Sequence, residues 1–204
     1  MEIRKLGNAA ISAGSTSAFA LLAATGQASA DGPYVGIAFG AITGEHPSPG
    51  SSRSEDYELA GSVTSFYAGV EKTLESGMFV GVEVAYTGAF EGDDADDSFY
   101  EYAYDIDYNI DAKLRVGTTL GSAKVYGFGG LSVGSSNGCC YGNDYRYEGI
   151  NIGAGVEMEM IEDVMVGVEW IHRETTGTIY PDSGDDWGYR ASHDAIALRV
   201  GFQF

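Results

Sequence analysis

Apolar and polar residues alternate with a period of two along most of the chain after residue 31. The alternation is cleanest over residues 104–118, where one face is apolar and the other carries Asp, Asn, Lys and Arg. Successive side chains of an extended strand point to opposite faces, so this pattern predicts strands with one apolar face. We predict eight strands, over residues 34–43, 65–74, 78–90, 104–118, 124–134, 149–160, 164–175 and 194–204. The fifth strand is rich in glycine, so it is ambiguous which of its residues lie on the apolar face.

Short and long connections alternate between these predicted strands. The short ones lie near residues 75–77, 120–122 and 161–163. The long ones are polar and acidic, and cover about 44–64, 91–103, 135–148 and 176–193. Short turns at one end and long loops at the other are typical of a membrane barrel, with the turns periplasmic and the loops outside. Strands of this length cross a bilayer when they are tilted.

The polar face of the strands distinguishes a membrane barrel from a soluble barrel or sandwich, in which the apolar face turns inward. This face is mostly small with a few charges, as in Gly81, Glu83, Ala85 and Thr87. A solvated face would carry long polar side chains, whereas an eight-stranded interior has room only for its own side chains. Aromatic residues occupy strand ends of the apolar face, as at membrane interfaces: Tyr86, Phe90, Tyr104, Tyr108, Trp170, Phe202 and Phe204. The prediction is an all-β fold, an eight-stranded antiparallel up-and-down transmembrane β-barrel.

The first 30 residues have the pattern of a secretory signal peptide. Arg4 and Lys5 precede an uncharged stretch over residues 8–25, and Ala28-Ser29-Ala30 offers a small-x-small cleavage site. A transmembrane helix is the alternative, but residues 14–17 interrupt the apolar run with Gly, Ser and Thr. We therefore expect a signal peptide over residues 1–30 and one outer-membrane barrel domain over residues 31–204.

The chain is strongly acidic, with a formal net charge of −19. Removing Glu2, Arg4 and Lys5 with the signal leaves 9 basic and 29 acidic residues, a charge of −20. A nucleic-acid partner would require a basic patch, so this class of partner is excluded. The sum does not identify a cationic partner, because the position of the charges matters more than their total.

Seven charged residues of the predicted inner face fall at similar heights. Counted at about 3.3 Å per residue from the short turns, they occupy one slab of roughly 10 Å. They are Glu71, Glu83, Lys113, Arg115, Glu157, Glu169 and Arg199. Unpaired charges in a narrow lumen would cost several kcal/mol each, so pairing is expected. We predict an interior ion-pair layer that fixes the packing. A gate or a narrow ion path is the alternative.

Two of the long loops are dense in carboxylates, at Glu91, Asp93, Asp94, Asp96, Asp97, Asp182, Asp185 and Asp186. Such oxygen ligands suit calcium or magnesium. However, the sixth position counted from Asp94 is Phe99 rather than the glycine of an EF-hand. Solvated loops without a metal or cofactor are therefore expected, and divalent bridging to lipopolysaccharide phosphates is the alternative.

Cys139 and Cys140 are the only cysteines, and they are adjacent in the third long loop. A trans peptide holds neighbouring Cα atoms about 3.8 Å apart, below the usual disulfide range. An exported location permits oxidation. Free thiols, a strained vicinal disulfide and bonds between protomers all remain open. A metal site is not predicted, because no Cys or His stands nearby at ligand spacing.

Candidate catalytic groups are His172 with Glu174, Ser192 with His193, and His46. None of them forms a motif for a nucleophile with its base, so no enzyme is predicted. Aromatic loop residues are better candidates for contact with a surface ligand, since Tyr and Trp are enriched at interfaces. Packing on the barrel rim is the alternative role for this set: Phe99, Tyr100, Tyr102, Tyr104, Tyr141, Tyr145, Tyr147, Trp187 and Tyr189.

The chain ends on an apolar strand face formed by Leu198, Val200, Phe202 and Phe204. This ending resembles the C-terminal targeting signature of bacterial outer-membrane barrels. With the signal peptide, the strands and the loop pattern, the mature chain resembles the OmpA-like and opacity-type family of small outer-membrane barrels. The resemblance implies insertion by the barrel assembly machinery and contact with outer-membrane lipid and lipopolysaccharide in a Gram-negative bacterium. It also implies an interior ion-pair network that blocks continuous passage.

The expected location is therefore the cell outer membrane. OmpA carries a peptidoglycan-binding domain after its barrel, and we expect no such domain here because this chain ends at the barrel. The expected function is a non-enzymatic structural or surface-interaction role, adhesion-like or opacity-like, with four acidic loops outside and an unidentified surface ligand. The alternatives are a narrow pore for ions or small solutes and a lipid A-modifying enzyme.

Overall fold

The computed structural model describes residues 31–47, 56–90, 105–137, 144–179 and 187–204. Eight strands make up these ranges: β1 Pro33–Pro47, β2 Asp56–Thr73, β3 Met78–Phe90, β4 Asp105–Leu120, β5 Ala123–Asn137, β6 Asp144–Ile161, β7 Val164–Ile179 and β8 Trp187–Gln203. Each strand pairs antiparallel with the next, and β8 pairs with β1 to close the barrel. This confirms the predicted fold class. In the described ranges, no helix is long and apolar enough to cross a membrane.

The strands extend further from the short turns than the sequence predicts. Pairing of β1 with β2 continues to Pro47 opposite Asp56, and β7 with β8 continues to Ile179 opposite Trp187. The predicted starts of the long loops at residues 44, 135 and 176 were therefore wrong, because the strands before them end later. The outward side chains there are polar and exposed, as in Arg146, Glu148 and Arg190, so the ladder can continue without apolar residues on that face. The pattern that identified the strands ends before the hydrogen bonding does.

The short connections lie where the sequence predicts them. β4 and β5 pair up to Leu120 opposite Ala123, which leaves a two-residue turn with Gly121 at φ 66°. Glycine at the first central position of such a turn matches the twist of the flanking strands. Gly77 and Asp163 have φ of 80° and 66° in the other two turns. In an outer-membrane barrel, short turns of this kind form the periplasmic end.

The outer wall is apolar. Phe66, Leu114 and Ile196 point outward with more than half of their surface exposed. Tyr86 and Tyr108 stack on this wall with ring centroids 6.4 Å apart. The ambiguous fifth strand follows the same rule, because Val125 and Leu131 face outward while Tyr126 and Phe128 are buried inside. A continuous apolar surface of this kind requires a lipid solvent.

Glycines inside the barrel make room for interior aromatic rings. A Cβ atom added at Gly69 would lie 2.3 Å from the ring of Tyr34, and one at Gly155 would lie 2.5 Å from that of Tyr126. Both distances are far below van der Waals contact. The glycine-rich composition therefore follows from rings that lie directly against the backbone of a neighbouring strand. These rings hold the charged groups described next.

Candidate functional site: charged groups across the lumen

Six charged side chains from five strands meet in the middle of the lumen. We call them the central layer: Glu83, Lys113, Arg115, Glu157, Glu169 and Arg199. Strand register brings them to one height, since Glu83 pairs directly with Lys113 across β3 and β4. Each of the six side chains is at most 8% exposed. Three acids and three bases make the central layer neutral.

Arg199 contacts every carboxylate of the central layer. It donates to Glu83 at 3.0 and 2.6 Å, from two nitrogens to two oxygens. It also donates to Glu169 at 2.5 Å. Its Nε lies 3.1 Å from Glu157 Oε1 but without hydrogen-bond geometry, so this contact is an ion pair and not a hydrogen bond. The guanidinium also lies 3.8 Å from the centre of the Tyr67 ring, a cation–π distance.

The other two cations share the same carboxylates. Arg115 donates to Glu83 at 3.2 Å and to Glu157 at 2.9 Å. Lys113 donates to Glu83 at 3.1 Å and to Glu169 at 2.5 Å. The side chain of Glu83 is fully buried and contacts all three cations. Such pairing offsets the several kcal/mol that taking each ion out of water costs.

Two buried tyrosines add hydrogen bonds to the central layer. Tyr34 donates to Glu83 at 3.0 Å and accepts from Arg115 at 2.6 Å. The hydroxyl of Tyr126 lies 3.2 and 3.0 Å from the carboxylates of Glu157 and Glu169. The Arg115 guanidinium lies 3.9 Å from the centre of the Tyr126 ring. The sequence analysis missed both tyrosines, although alternation along β1 and β5 places them on the inner face beside the charged residues.

Glu71 is the one predicted residue that the structure does not bring into the central layer. It pairs instead with Lys124 on the periplasmic side, and Lys124 also donates to Gln203 at 3.3 Å. Sequence reasoning missed Lys124 because the facing of its glycine-rich strand was ambiguous. The register places Lys124 on the inner face together with Tyr126.

A third neutral group lies on the extracellular side. Arg173 donates to both oxygens of Asp111, at 3.0 and 2.7 Å. Ser132 and Asn109 also donate to Asp111, at 2.6 and 3.0 Å. Sequence reasoning missed this pair, although both residues occupy inward positions on β4 and β7. The lumen is therefore crossed at three successive heights by paired charges.

Two small cavities flank the central layer. The extracellular one has a volume of about 40 Å³, and the central layer forms its floor through Lys113, Glu169 and Arg199. The periplasmic one has a volume of about 20 Å³ and touches Arg115 and Glu157. Since one water needs roughly 10–15 Å³ of such space, each cavity holds only one to a few waters. The central layer separates the two.

The candidate catalytic histidines lie on different faces of the wall. His193 is buried in the lumen, 6.4 Å from Tyr147 between ring centroids. Ser192 precedes it on the same strand and therefore points to the opposite face, so the two cannot act as a nucleophile and base. His172 faces outward near Glu174. The side chain of His46 lies outside the described residues.

Tyr147 was wrongly assigned to a loop. It lies within β6, it is 4% exposed, and its hydroxyl donates to the Tyr108 carbonyl oxygen at 3.4 Å. The reason is that β6 begins earlier than its apolar alternation does. Tyr145, Trp187 and Tyr189 were likewise predicted in loops but lie within β6 and β8. The other loop predictions fall outside the described residues: Cys139, Cys140, the eight loop carboxylates, Phe99, Tyr100, Tyr102, Tyr104 and Tyr141.

The predicted insertion signature forms the outward face of β8. Leu198, Val200, Phe202 and Phe204 all face outward and are between 38% and 52% exposed. The Phe204 amide donates to the Pro33 carbonyl oxygen at 3.0 Å, so the end of the chain joins the start of β1. The rings of Phe202 and Phe204 meet edge-on, with centroids 5.1 Å apart.

Comparison with known proteins agrees with this architecture. A family model described as an outer membrane protein beta-barrel domain matches residues 6–204. The crystal structure of Neisserial surface protein A is similar with a TM-score of 0.56 at 16% identity, covering 84% of this chain and 97% of that one. This likeness shows the fold.

Two further solved barrels match with lower scores. The attachment invasion locus protein Ail of Yersinia pestis has a TM-score of 0.46 at 10% identity, covering 83% of this chain and 98% of that one. OprG of Pseudomonas aeruginosa has a TM-score of 0.46 at 10% identity, with 84% and 95% covered. No curated protein sequence matches significantly. On its fold and its family match, the chain belongs to the outer membrane protein beta-barrel domain family and is a protein of the cell outer membrane.

Proposed function

We propose that this protein is a non-enzymatic outer-membrane barrel with a structural and surface-contact role, whose lumen does not conduct. The observation that carries the proposal is the central layer, which joins β3 and β4 to β7 and β8 on the opposite side of the barrel through Glu83, Lys113, Glu169 and Arg199. An ion crossing the lumen would have to separate these buried pairs. Breaking one such pair costs about 3–5 kcal/mol. The adjoining cavities have room only for a few waters.

The outer half of the barrel supports the surface role. β2 and β6 are each 18 residues long, whereas about 9–11 residues cross a bilayer. On β1 the outward residues are apolar up to Ala41, and the ladder continues for six more residues to Pro47. Paired strands therefore rise above the lipid, and two of the connections that join them, 91–104 and 180–186, are rich in carboxylates. We propose that these connections contact a surface ligand.

A catalytic role has less support from the geometry. Ser192 and His193 face opposite sides of β8, and His172 stands on the outer surface between carboxylates of Asp194 and Glu174. The alternative is a lipid A-modifying enzyme, and analysis of the lipid A acyl chains tests it directly. We expect identical lipid A acyl chains in cells with and without the protein. A difference that disappears with His172→Ala would refute the non-enzymatic role.

Planar-bilayer recording tests the sealed lumen. The wild-type protein, with insertion verified by vesicle flotation, is expected to give no steady current. The matched control is the double variant Glu169→Ala, Arg199→Ala, which keeps the central layer neutral while removing two of the side chains that fill the lumen. We expect brief conducting events from this variant. Steady, salt-dependent channels from the wild type would refute our proposal and favour the narrow pore.

The surface role is tested separately on whole cells. Cells displaying the wild type are compared with cells whose connections 48–55, 91–104, 138–143 and 180–186 are replaced by short turns. The barrel and its central layer are common to both, so only surface contact changes. Binding to host-cell or matrix components is expected with the full connections and lost with the short ones. Equal binding by both strains would refute a role for the connections.

A further inference from the structure

The outward face of β6, β7 and β8 changes from apolar to charged along one line near the extracellular end. On β6, Ile150 is followed by Glu148 and Arg146. On β8, Ile196 is followed by Asp194 and then Arg190, both on the same face. Such a step marks the upper edge of the hydrocarbon layer. Lipid in contact with the apolar wall therefore places its headgroup against these charged residues.

An ordered cluster sits at this edge on β7. The Trp170 indole donates to Asp194 at 3.0 Å, and the ring of His172 stacks on that of Trp170 with centroids 6.3 Å apart. His172 Nδ1 lies 3.2 Å from the same Asp194 oxygen. Tryptophan prefers the level where hydrocarbon meets the headgroups. The cluster therefore locates the membrane interface and presents a fixed aromatic surface to the lipid.

Two arginines stand above this cluster, on either side of β7. Arg190 pairs with Thr176, and Arg146 pairs with Thr178 on the other edge of the same strand. Both arginines are exposed and face outward. Two strand spacings and two residues separate their Cα atoms by roughly 12 Å. Their long side chains can therefore reach one ligand across the small side chains between them.

The height of the arginines selects the kind of lipid. Arg146 lies four residues beyond Ile150 and Arg190 six residues beyond Ile196, roughly 10 and 15 Å above the apolar edge for strands tilted by about 40°. The headgroup layer of an ordinary bilayer is only about 5–7 Å thick on each side. A lipid with a large phosphorylated sugar headgroup fills the greater height. Lipopolysaccharide is the outer-leaflet lipid with this chemistry.

The position of the outward-facing cations also favours this partner. The full chain carries a formal net charge of −19, yet both of the outward-facing cations described at the extracellular end lie in this one patch. Lys72, the other outward cation in the described residues, lies at the periplasmic end. Arginine binds phosphate in a bidentate manner. Glu148, Glu174 and Asp194 border the patch, so recognition depends on discrete arginine contacts rather than on a broad basic field.

We propose that Trp170, His172, Arg146 and Arg190 form a binding surface for the phosphorylated sugar headgroup of lipopolysaccharide. Lipid acyl chains lie on the wall below, the sugar packs on the Trp170 and His172 rings, and the arginines bind phosphate. The surface lies outside the barrel, so this proposal is independent of whether the lumen conducts. It requires only that the protein lies in the outer membrane.

Tryptophan fluorescence of the Trp187→Phe protein in detergent micelles reports binding, because Trp170 is then the only tryptophan. The probes are lipopolysaccharide, the same material after chemical removal of phosphate, and phosphatidylglycerol. We expect saturable binding of the first and at least tenfold weaker binding of the other two. Equal binding of phosphatidylglycerol or of the dephosphorylated material would overturn the proposal.

Variants assign the contact to the two arginines. The double variant Arg146→Gln, Arg190→Gln is expected to weaken lipopolysaccharide binding at least tenfold. Lys72→Gln, which removes an outward charge at the opposite end, is the matched control and should bind like the parent. Folding of the parent, the double variant and Lys72→Gln is verified by the shift in electrophoretic mobility on heating. Unchanged affinity in the double variant, or an equal loss in Lys72→Gln, would overturn the assignment.

Discussion

Replacing Arg199 with leucine removes the one cation that contacts all three carboxylates of the central layer. The layer then carries a net charge of −1 in a site where every side chain is at most 8% exposed. Removing one partner of a buried ion pair costs about 3–5 kcal/mol. Glu83 keeps both Lys113 and Arg115, and each of the other two carboxylates keeps one of these cations, which places the expected loss near the lower limit of about 3 kcal/mol. Loss of the cation–π contact with Tyr67 adds about 1 kcal/mol.

The free energy of unfolding can be measured by urea titration of the protein in phospholipid vesicles. Tryptophan fluorescence and the electrophoretic shift between folded and unfolded barrels follow the transition, and linear extrapolation gives its value in water. We expect Arg199→Leu to lower the free energy of unfolding by about 3–4 kcal/mol. Lys72→Gln, an exposed change on the outer face, should stay within about 0.5 kcal/mol of the parent.

A second variant tests whether charge balance is the cause. Glu169→Gln alone leaves the central layer at +1, whereas Arg199→Leu with Glu169→Gln restores neutrality. We therefore expect the double variant to lose less than the sum of the two single losses, by about 1–3 kcal/mol. An Arg199→Leu loss below about 0.5 kcal/mol would refute the buried ion pairing. Strict additivity would show that packing rather than charge sets the loss.

Three further predictions concern other parts of the barrel. Gly155→Val should lower the free energy of unfolding by about 1–3 kcal/mol in the same titration, because its side chain would overlap the Tyr126 ring; an unchanged midpoint would contradict this packing. The pKa of Asp31 is lowered chiefly by its side-chain and backbone hydrogen bonds with Thr73. At a pH above the ordinary pKa of 3.8, the wild type should therefore be more stable than Asp31→Asn, by under about 1 kcal/mol. This difference in the free energy of unfolding should vanish as the pH falls through the lowered pKa of Asp31. A difference that persists in acid would refute the carboxylate contact. Phe204→Ala should reduce the amount assembled in cells while the refolded barrel keeps most of its stability, as measured by quantifying heat-modifiable protein in outer-membrane fractions; normal assembly would refute the targeting role.

Part of the charged site was predictable from the sequence, because strand parity and height along the strand follow from counting residues. Glu83, Arg115 and Arg199 were placed in one layer in this way. Counting residues could not show which carboxylate pairs with which cation, since the pairing depends on the shear of the closed barrel. Glu71 consequently belongs with Lys124 rather than with the central layer. The Asp111–Arg173 pair was missed because it lies above the height at which the other charges cluster.

The sequence by itself determined the fold class, because a period-two alternation with small residues on its polar face is compatible only with a narrow barrel in lipid. It also determined the turn positions and the apolar face that ends at Phe204. Only the tertiary structure decided how far the strands rise above the membrane, because hydrogen bonds continue there without a side-chain pattern. It alone decided the neutral pairing across the lumen and the grouping of Trp170, His172 and Arg190 on the outer edge. Such contacts join residues far apart in the chain, and closure of β8 on β1 sets their register.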